Sequence, residues 1–284
     1  MGTSNPYGGP KDGLLPDWLN QPTPPPGGPE GSPPAGPDGS GPDSPPAPPP
    51  EGAPVPLPVL PAGGSLRGPR TAFSGFAGGG SRSRLDSGLG GYVGAVGGSR
   101  GAARRMGSSR GSAANVLGLI RDFRSVGPAG ALARFNLQAL AGRPADEVFT
   151  RLLDQLCPVG GTVDEAIARQ GMLEAIDKLA EASLTFEQLT LEQLEEFVSD
   201  FVTATIEARV LNDIGVRGIA LPEDVDAVDN IQGQLHDAIS GCAREALAGQ
   251  VEGVDGMKDT DIAQLVDRLY EASFDLVAAL AEAA

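Results

Sequence analysis

From Ser112 onward, apolar residues recur at intervals of three and four, the spacing that lines one face of a helix. Val116, Ile120 and Phe123 share such a face, with Arg121 and Arg124 off it. Pro128 opens a short second helix running to about Leu140, and Gly142 stands where a C-terminal glycine belongs. Pro144-Ala145-Asp146-Glu147 starts a third, its acids in the first turn where the helix dipole favours them. Its apolar face is Val148, Phe149, Leu152, Leu153 and Leu156, and Pro158 with Gly160-Gly161 ends it. Thr162-Val163-Asp164-Glu165 has the capping-box pattern, in which a threonine and a glutamate three residues on satisfy each other's backbone amides. The helix behind it directs Ile167, Leu173, Ile176 and Leu179 inward. Thr190-Leu191-Glu192-Gln193 is a second capping box, opening a helix to about Asn212 with Leu194, Phe197, Val198, Phe201, Thr205 and Ile206 inward. Pro222, Glu223 and Asp224 begin the next, which carries Val225, Val228, Ile231, Leu235, Ile239 and Cys242 and closes at Gly249. Asp259 caps the last, whose stripe is Ile262, Leu265, Val266, Leu269, Ser273, Leu276, Val277 and Leu280. There is no β-type alternation and no internal repeat, so residues 112–284 are expected to form an all-α bundle of about six or seven helices.

Before Ser112 composition takes over from periodicity. Of the 26 prolines, 21 lie between Pro6 and Pro61, and 27 of the 41 glycines lie at or before Gly111. Such a stretch is expected to bury too little apolar surface to offset the entropy of ordering it. Residues 1–20 (MGTSNPYGGPKDGLLPDWLN) read as a linear motif, with apolar residues set among Gly and Pro and with the one Trp of the chain, Trp18. Residues 21–62 read as a disordered Pro-rich spacer in extended polyproline conformation. Residues 63–111 read as a flexible Gly/Ser/Arg-rich segment, with Phe73, Phe76, Tyr92, Val93 and Val96 too few for a core.

Charge is divided in the same way. The chain carries a formal −16. Residues 65–110 hold eight Arg against the single Asp86, whereas residues 111–284 hold 12 basic and 30 acidic residues. The acidic body is expected to repel nucleic acid and anionic lipid. The arginines between can bind phosphate, with Arg100, Arg104, Arg105 and Arg110 the candidate nucleic-acid contacts, or be drawn to the body's own acids. Cys157 and Cys242 form no metal or disulfide pattern and read as small buried hydrophobes. No run of 18 apolar residues suggests a membrane span, and no basic start with an apolar stretch behind it suggests a secretory signal, so a cytoplasmic location is the expectation.

Catalytic chemistry is hard to find. The one histidine, His236, lies off the Ile231–Leu235–Ile239 stripe beside Asp237, where it reads as an exposed side chain with no nucleophile near it. The acids are spread along helices, as on a solvated face, and no metal site is expected. GLGGYVGAVGG at Gly88–Gly98 has no flanking strand, which makes it a linker rather than a phosphate loop. At the start, removal of Met1 exposes Gly2, and Pro6 at the sixth position departs from the myristoylation pattern. A free α-amine with a pKa of about 7.7–8.0 is partly neutral at pH 7, sterically open on glycine, and chemically able to accept an acyl group.

The opening MGTSNPYGGPKDGLLPDWL resembles the QatB-like proteins of bacterial anti-phage defence, as do GGYVGAVGGSRGAARRMGSSR, GRPADEVF, CPVGGTVDEAIAR, IEARVLNDIG and LPEDVDAVDNIQGQLHDAI. These stretches run from Met1 to Ile239, and the resemblance takes in most of the helical part and leaves the Pro-rich spacer unmatched. The resemblance implies a non-catalytic component of a system that also contains an ATPase, a QueC-like enzyme and a TatD-like nuclease. QueC-type enzymes use ATP to activate the carboxylate of a 7-deazaguanine for attack by ammonia. The resemblance implies that the amine of Gly2 takes the place of ammonia, giving a covalent 7-deazaguanine amide, with no cofactor otherwise bound. Thr3, Ser4, Tyr7, Gly8 and Gly9 would thread into the enzyme, with Leu14, Leu15 and Trp18 in the same motif. Two alternatives stand beside this: a helical scaffold tethering partners by its Pro-rich tail, and a nucleic-acid-binding adaptor using the arginine segment.

Overall fold

Leu85, Leu89, Tyr92, Val93 and Val96 are spaced as one helical face, and all five are buried. The computed structural model describes residues 64–158, 160–215, 219 and 222–283. Among them helices begin at Arg67, well before Ser112. The first three are α1 (Arg67–Ala77), α2 (Arg82–Ala95) and α3 (Gly98–Arg104). The expectation of a flexible segment over 63–111 is therefore corrected, and the helical body starts about 45 residues earlier than the 112–284 boundary. So is the reading of GLGGYVGAVGG as a linker, because most of it lies in α2. The physical reason is that glycine here serves close packing. A Cβ on Gly88 would stand 2.9 Å from the Phe73 ring, and one on Gly90 would stand 2.4 Å from the Cβ of Ala281. The chain lacks side-chain bulk at these points because neighbouring helices occupy the space.

The later helices are α4 (Gly107–Arg134), α5 (Ala145–Leu156), α6 (Val163–Glu181), α7 (Leu191–Ile214), α8 (Val225–Leu247) and α9 (Asp259–Leu280). Six of the nine α-helices among the described residues, α4–α9, make up the part expected to hold six or seven, and α1–α3 precede it. α4 is broken where Pro128 was expected to open a new helix. Gly127 there has φ 77°, a left-handed value that a side chain resists. The second segment ends at Arg134 rather than Leu140, and Gln138–Leu140 form a 3-10 turn. Both capping boxes form. Thr162 Oγ1 accepts from the Glu165 amide at 3.2 Å and Glu165 accepts from the Thr162 amide at 2.8 Å. Thr190 and Gln193 repeat the exchange at 3.3 and 2.9 Å. α8 starts at Val225 behind Asp224 rather than at Pro222, and Val225 is 70% exposed. Lys258, not Asp259, precedes the first turn of α9, and its amide donates to Asp261. Leu173, expected inward, is 40% exposed; Met172 and Ala175 take the buried positions on α6.

α7 organises the packing. Every residue from Phe197 to Ile206 is buried, so this helix is covered on all sides, as a central helix must be. α6 and α8 pack along it, and α9 packs on α8, α2, α3 and α4. Phe149 joins α5 to α7 through Phe197, with ring centroids 4.4 Å apart, and meets Phe186 edge-on at 6.0 Å. Each fully buried Leu, Ile, Val or Phe contributes about 1.5–3 kcal/mol. One β-type pairing among the described residues, Pro144 with Thr185, ties the entry of α5 to the α6–α7 connection. No helix is long and apolar enough to cross a membrane among the described residues.

Candidate functional site

A largely enclosed cluster of charged and polar side chains lies at the end of α7. Asp213 is 6% exposed in its side chain and accepts from the Tyr92 hydroxyl at 2.9 Å and from Arg105 Nη2 and Nε at 2.9 and 3.1 Å. One turn earlier, Arg209 donates to the Arg105 carbonyl at 2.8 Å and to the Asp164 carboxylate. The other oxygen of Asp164 accepts from the Ser108 amide at 2.6 Å. These bonds join α2, the α3–α4 junction, α6 and α7. Burial, and then Asp213, push the Tyr92 phenol far above its ordinary range, so it stays a donor. Sequence reasoning missed Tyr92, Asp164, Arg209 and Asp213. The available signal was Arg209 and Asp213 spaced i, i+4 on a helix whose other faces are apolar.

The arginine run meets a stripe of acids on and before α9. Arg100 pairs with Glu271 at 3.2 Å, Arg110 with Asp267 at 2.6 Å, Arg121 with Asp259 at 2.7 Å and Arg124 with Asp255 at 2.6 Å. Of the four candidate nucleic-acid contacts, Arg100, Arg105 and Arg110 thus face carboxylates. Arg104 is exposed and, among the described residues, donates to the Arg100 carbonyl.

A cleft of about 490 Å³ lies between α6, the start of α7 and the end of α8. Ala175, Leu179 and Phe197 are among its apolar lining, and Lys178, Glu181, Glu196, Asp200 and Arg244 are its charged lining. Lys178 Nζ is 2.9 Å from Asp200 and 3.3 Å from His236 Nε2, and His236 Nδ1 is 3.2 Å from Glu207. His236 is therefore half-buried at a helix junction, which corrects its reading as an exposed side chain. The sequence signal was weak, because its partners come from two other helices. Burial raises the Glu207 carboxyl, and His236 and Lys178 draw it back.

Cys157 and Cys242 are buried and unpaired, as expected. Among the described residues no three His, Cys, Asp or Glu side chains are grouped as metal ligands. Gly2, Thr3, Ser4, Tyr7, Gly8, Gly9, Leu14, Leu15 and Trp18, with the whole Pro-rich spacer, lie outside the described residues.

Fold and polar groups together define an all-helical, acidic body in which buried and half-buried ion pairs tie several helices together. A family model described as Qat anti-phage system associated protein QatB matches residues 97–277, more than half of the chain, and the chain belongs to that family. Membership gives it a role in Qat anti-phage defence, among the other components of that system. No curated protein and no solved structure matches it.

Proposed function

We propose that this chain is a non-catalytic substrate and adaptor, and that a QueC-like enzyme of the Qat system joins a 7-deazaguanine to Gly2. The observation that carries the reading is family membership across residues 97–277, joined to an opening, MGTSNPYGG, that suits an acyl acceptor. In this step ATP activates the deazaguanine carboxylate and the neutral Gly2 amine attacks its carbonyl carbon. The activating group leaves with the C–O electron pair, the nitrogen loses a proton, and an amide remains. Thr3, Ser4, Tyr7, Gly8 and Gly9 thread the terminus into the enzyme, while the helical body docks it. Glycine suits the acceptor position because it lacks a Cβ beside the attacking nitrogen.

Intact-mass spectrometry of the chain, expressed with and without the QueC-like enzyme, tests this. A partner-dependent mass increase equal to a deazaguanine amide, mapped to Gly2, is expected. Gly2→Val should remove it while the far-UV circular dichroism stays unchanged. An unmodified terminus in the presence of an active, bound partner overturns the acceptor role.

A further inference from the structure

The partners of His236 suit one assignment of donor and acceptor to its two nitrogens. A lysine ammonium only donates, so Nε2, at 3.3 Å from Lys178 Nζ, must accept. A carboxylate only accepts, so Nδ1, at 3.2 Å from Glu207, must carry the proton. The ring in this arrangement is the neutral Nδ1–H tautomer. It is also a bridge, because α8 reaches α6 through Nε2 and α7 through Nδ1. Lys178 is itself anchored to Asp200 of α7 at 2.9 Å, with the Asp200 side chain 9% exposed.

Uptake of a proton at Nε2 reverses one of these contacts. The nitrogen becomes a donor facing a cation, and the hydrogen bond to Lys178 is lost. The contact with Glu207 becomes a charge-assisted ion pair, which is stronger than the neutral bond it replaces. Further charges stand behind the two partners of the ring: Glu174 of α6 acts on Glu207, and Asp200 of α7 holds Lys178. On α8 the adjacent Asp237 is exposed. We propose that His236 is a protonation switch between helices: the neutral imidazole ties α8 to both α6 and α7, whereas the imidazolium releases Lys178 and holds α7 alone. Because Lys178 and Arg244 line one cleft from α6 and α8, loss of the α6–α8 tie loosens that cleft.

His236 is the only histidine in the chain, so the unmodified full-length protein gives a single imidazole signal. Long-range proton–nitrogen spectra at pH 8.5 are expected to show the Nδ1–H tautomer; a dominant Nε2–H tautomer overturns the proposal. Double-mutant cycles in urea supply the second measurement. Coupling between Lys178→Met and His236→Ala should be present at pH 8.5 and lost at pH 5.5. Coupling between Glu207→Gln and His236→Ala should instead grow on acidification. A Lys178–His236 coupling that is unchanged between the two pH values refutes the switch.

Discussion

If α1–α3 belong to the core, truncating a single leucine in α2 must cost as much as in any buried helix. Leu89 has no exposed surface and lies in the main hydrophobic cluster. Removing three carbons there loses their transfer energy and leaves a cavity that helices on both sides can only partly fill. Buried leucine-to-alanine changes cost about 3–4 kcal/mol on this basis. For a body of this size each kcal/mol lowers the melting temperature by roughly 2–4 °C, so Leu89→Ala should lower it by roughly 10 °C. Leu173→Ala is the matched control, the same chemistry at a position 40% exposed on α6. Its expected cost is smaller, about 1–2 kcal/mol, because part of its side chain stays in water and its removal leaves no enclosed cavity. Thermal and urea unfolding of the full chain, followed by far-UV circular dichroism, gives both numbers. Equal and small shifts for the two variants would refute the packing of α2 and restore the linker reading of residues 63–111.

Other predictions concern the polar ties, the thiols and a helix start. Asp213→Ala strands the Arg105 guanidinium and the Tyr92 hydroxyl and should cost about 3 kcal/mol, against about 1 kcal/mol for Tyr92→Phe. Urea midpoints should therefore fall in the order wild type, Tyr92→Phe, Asp213→Ala, and a reversal of the two variants contradicts the hub role. Burial pushes the Cys157 thiol up and the Cys242 thiol up to about 11, so a disulfide reagent at pH 8 should label neither in the native protein and both in urea. Rapid native labelling of either would show that it is not enclosed. Thr162→Ala removes a capping box and should cost about 1 kcal/mol at pH 7. The Thr162 amide and then its hydroxyl hold the Glu165 carboxyl below its ordinary range. A carboxylate depressed in the folded state stabilises at neutral pH and loses that effect as pH falls through its folded value. The gap between wild type and Thr162→Ala should accordingly narrow at pH 3, and a constant gap counts against the exchange.

Where side chains decide packing, the sequence was readable. The stripes of α5, α7 and α9 and both capping boxes follow from spacing alone, because a helix that buries one face repeats its apolar residues at three and four. α2 escaped for the opposite reason. Its buried face includes Gly88, whose contribution is the absence of a side chain, and no hydrophobicity pattern registers absence. Yet Leu85, Leu89, Tyr92 and Val93 do keep helical spacing, so the high glycine content obscured a signal that was present. The polar clusters were illegible for another reason. Asp213 gains its partners from residues 121 and 108 positions away, and His236 from residues 29 and 58 away, separations that only the fold closes. The arginine run was visible as charge, but its pairing with the α9 acids depends on a helix near the other end of the chain.

That pairing bears on the order in which the chain becomes native during synthesis. Ser99 bonds to Asp275, Arg100 to Glu271 and Arg110 to Asp267, across 176, 171 and 157 residues. α2, α3 and α4 all pack on α9, so the ribosome must release nearly the whole chain before their core faces can be covered. At rates of about 5–20 residues per second, the arginine segment spends roughly ten seconds or more emerged without its carboxylates. Throughout that interval Arg100 and Arg110 stand without their partners beside an anionic ribosome, until translation of α9 supplies Glu271 and Asp267.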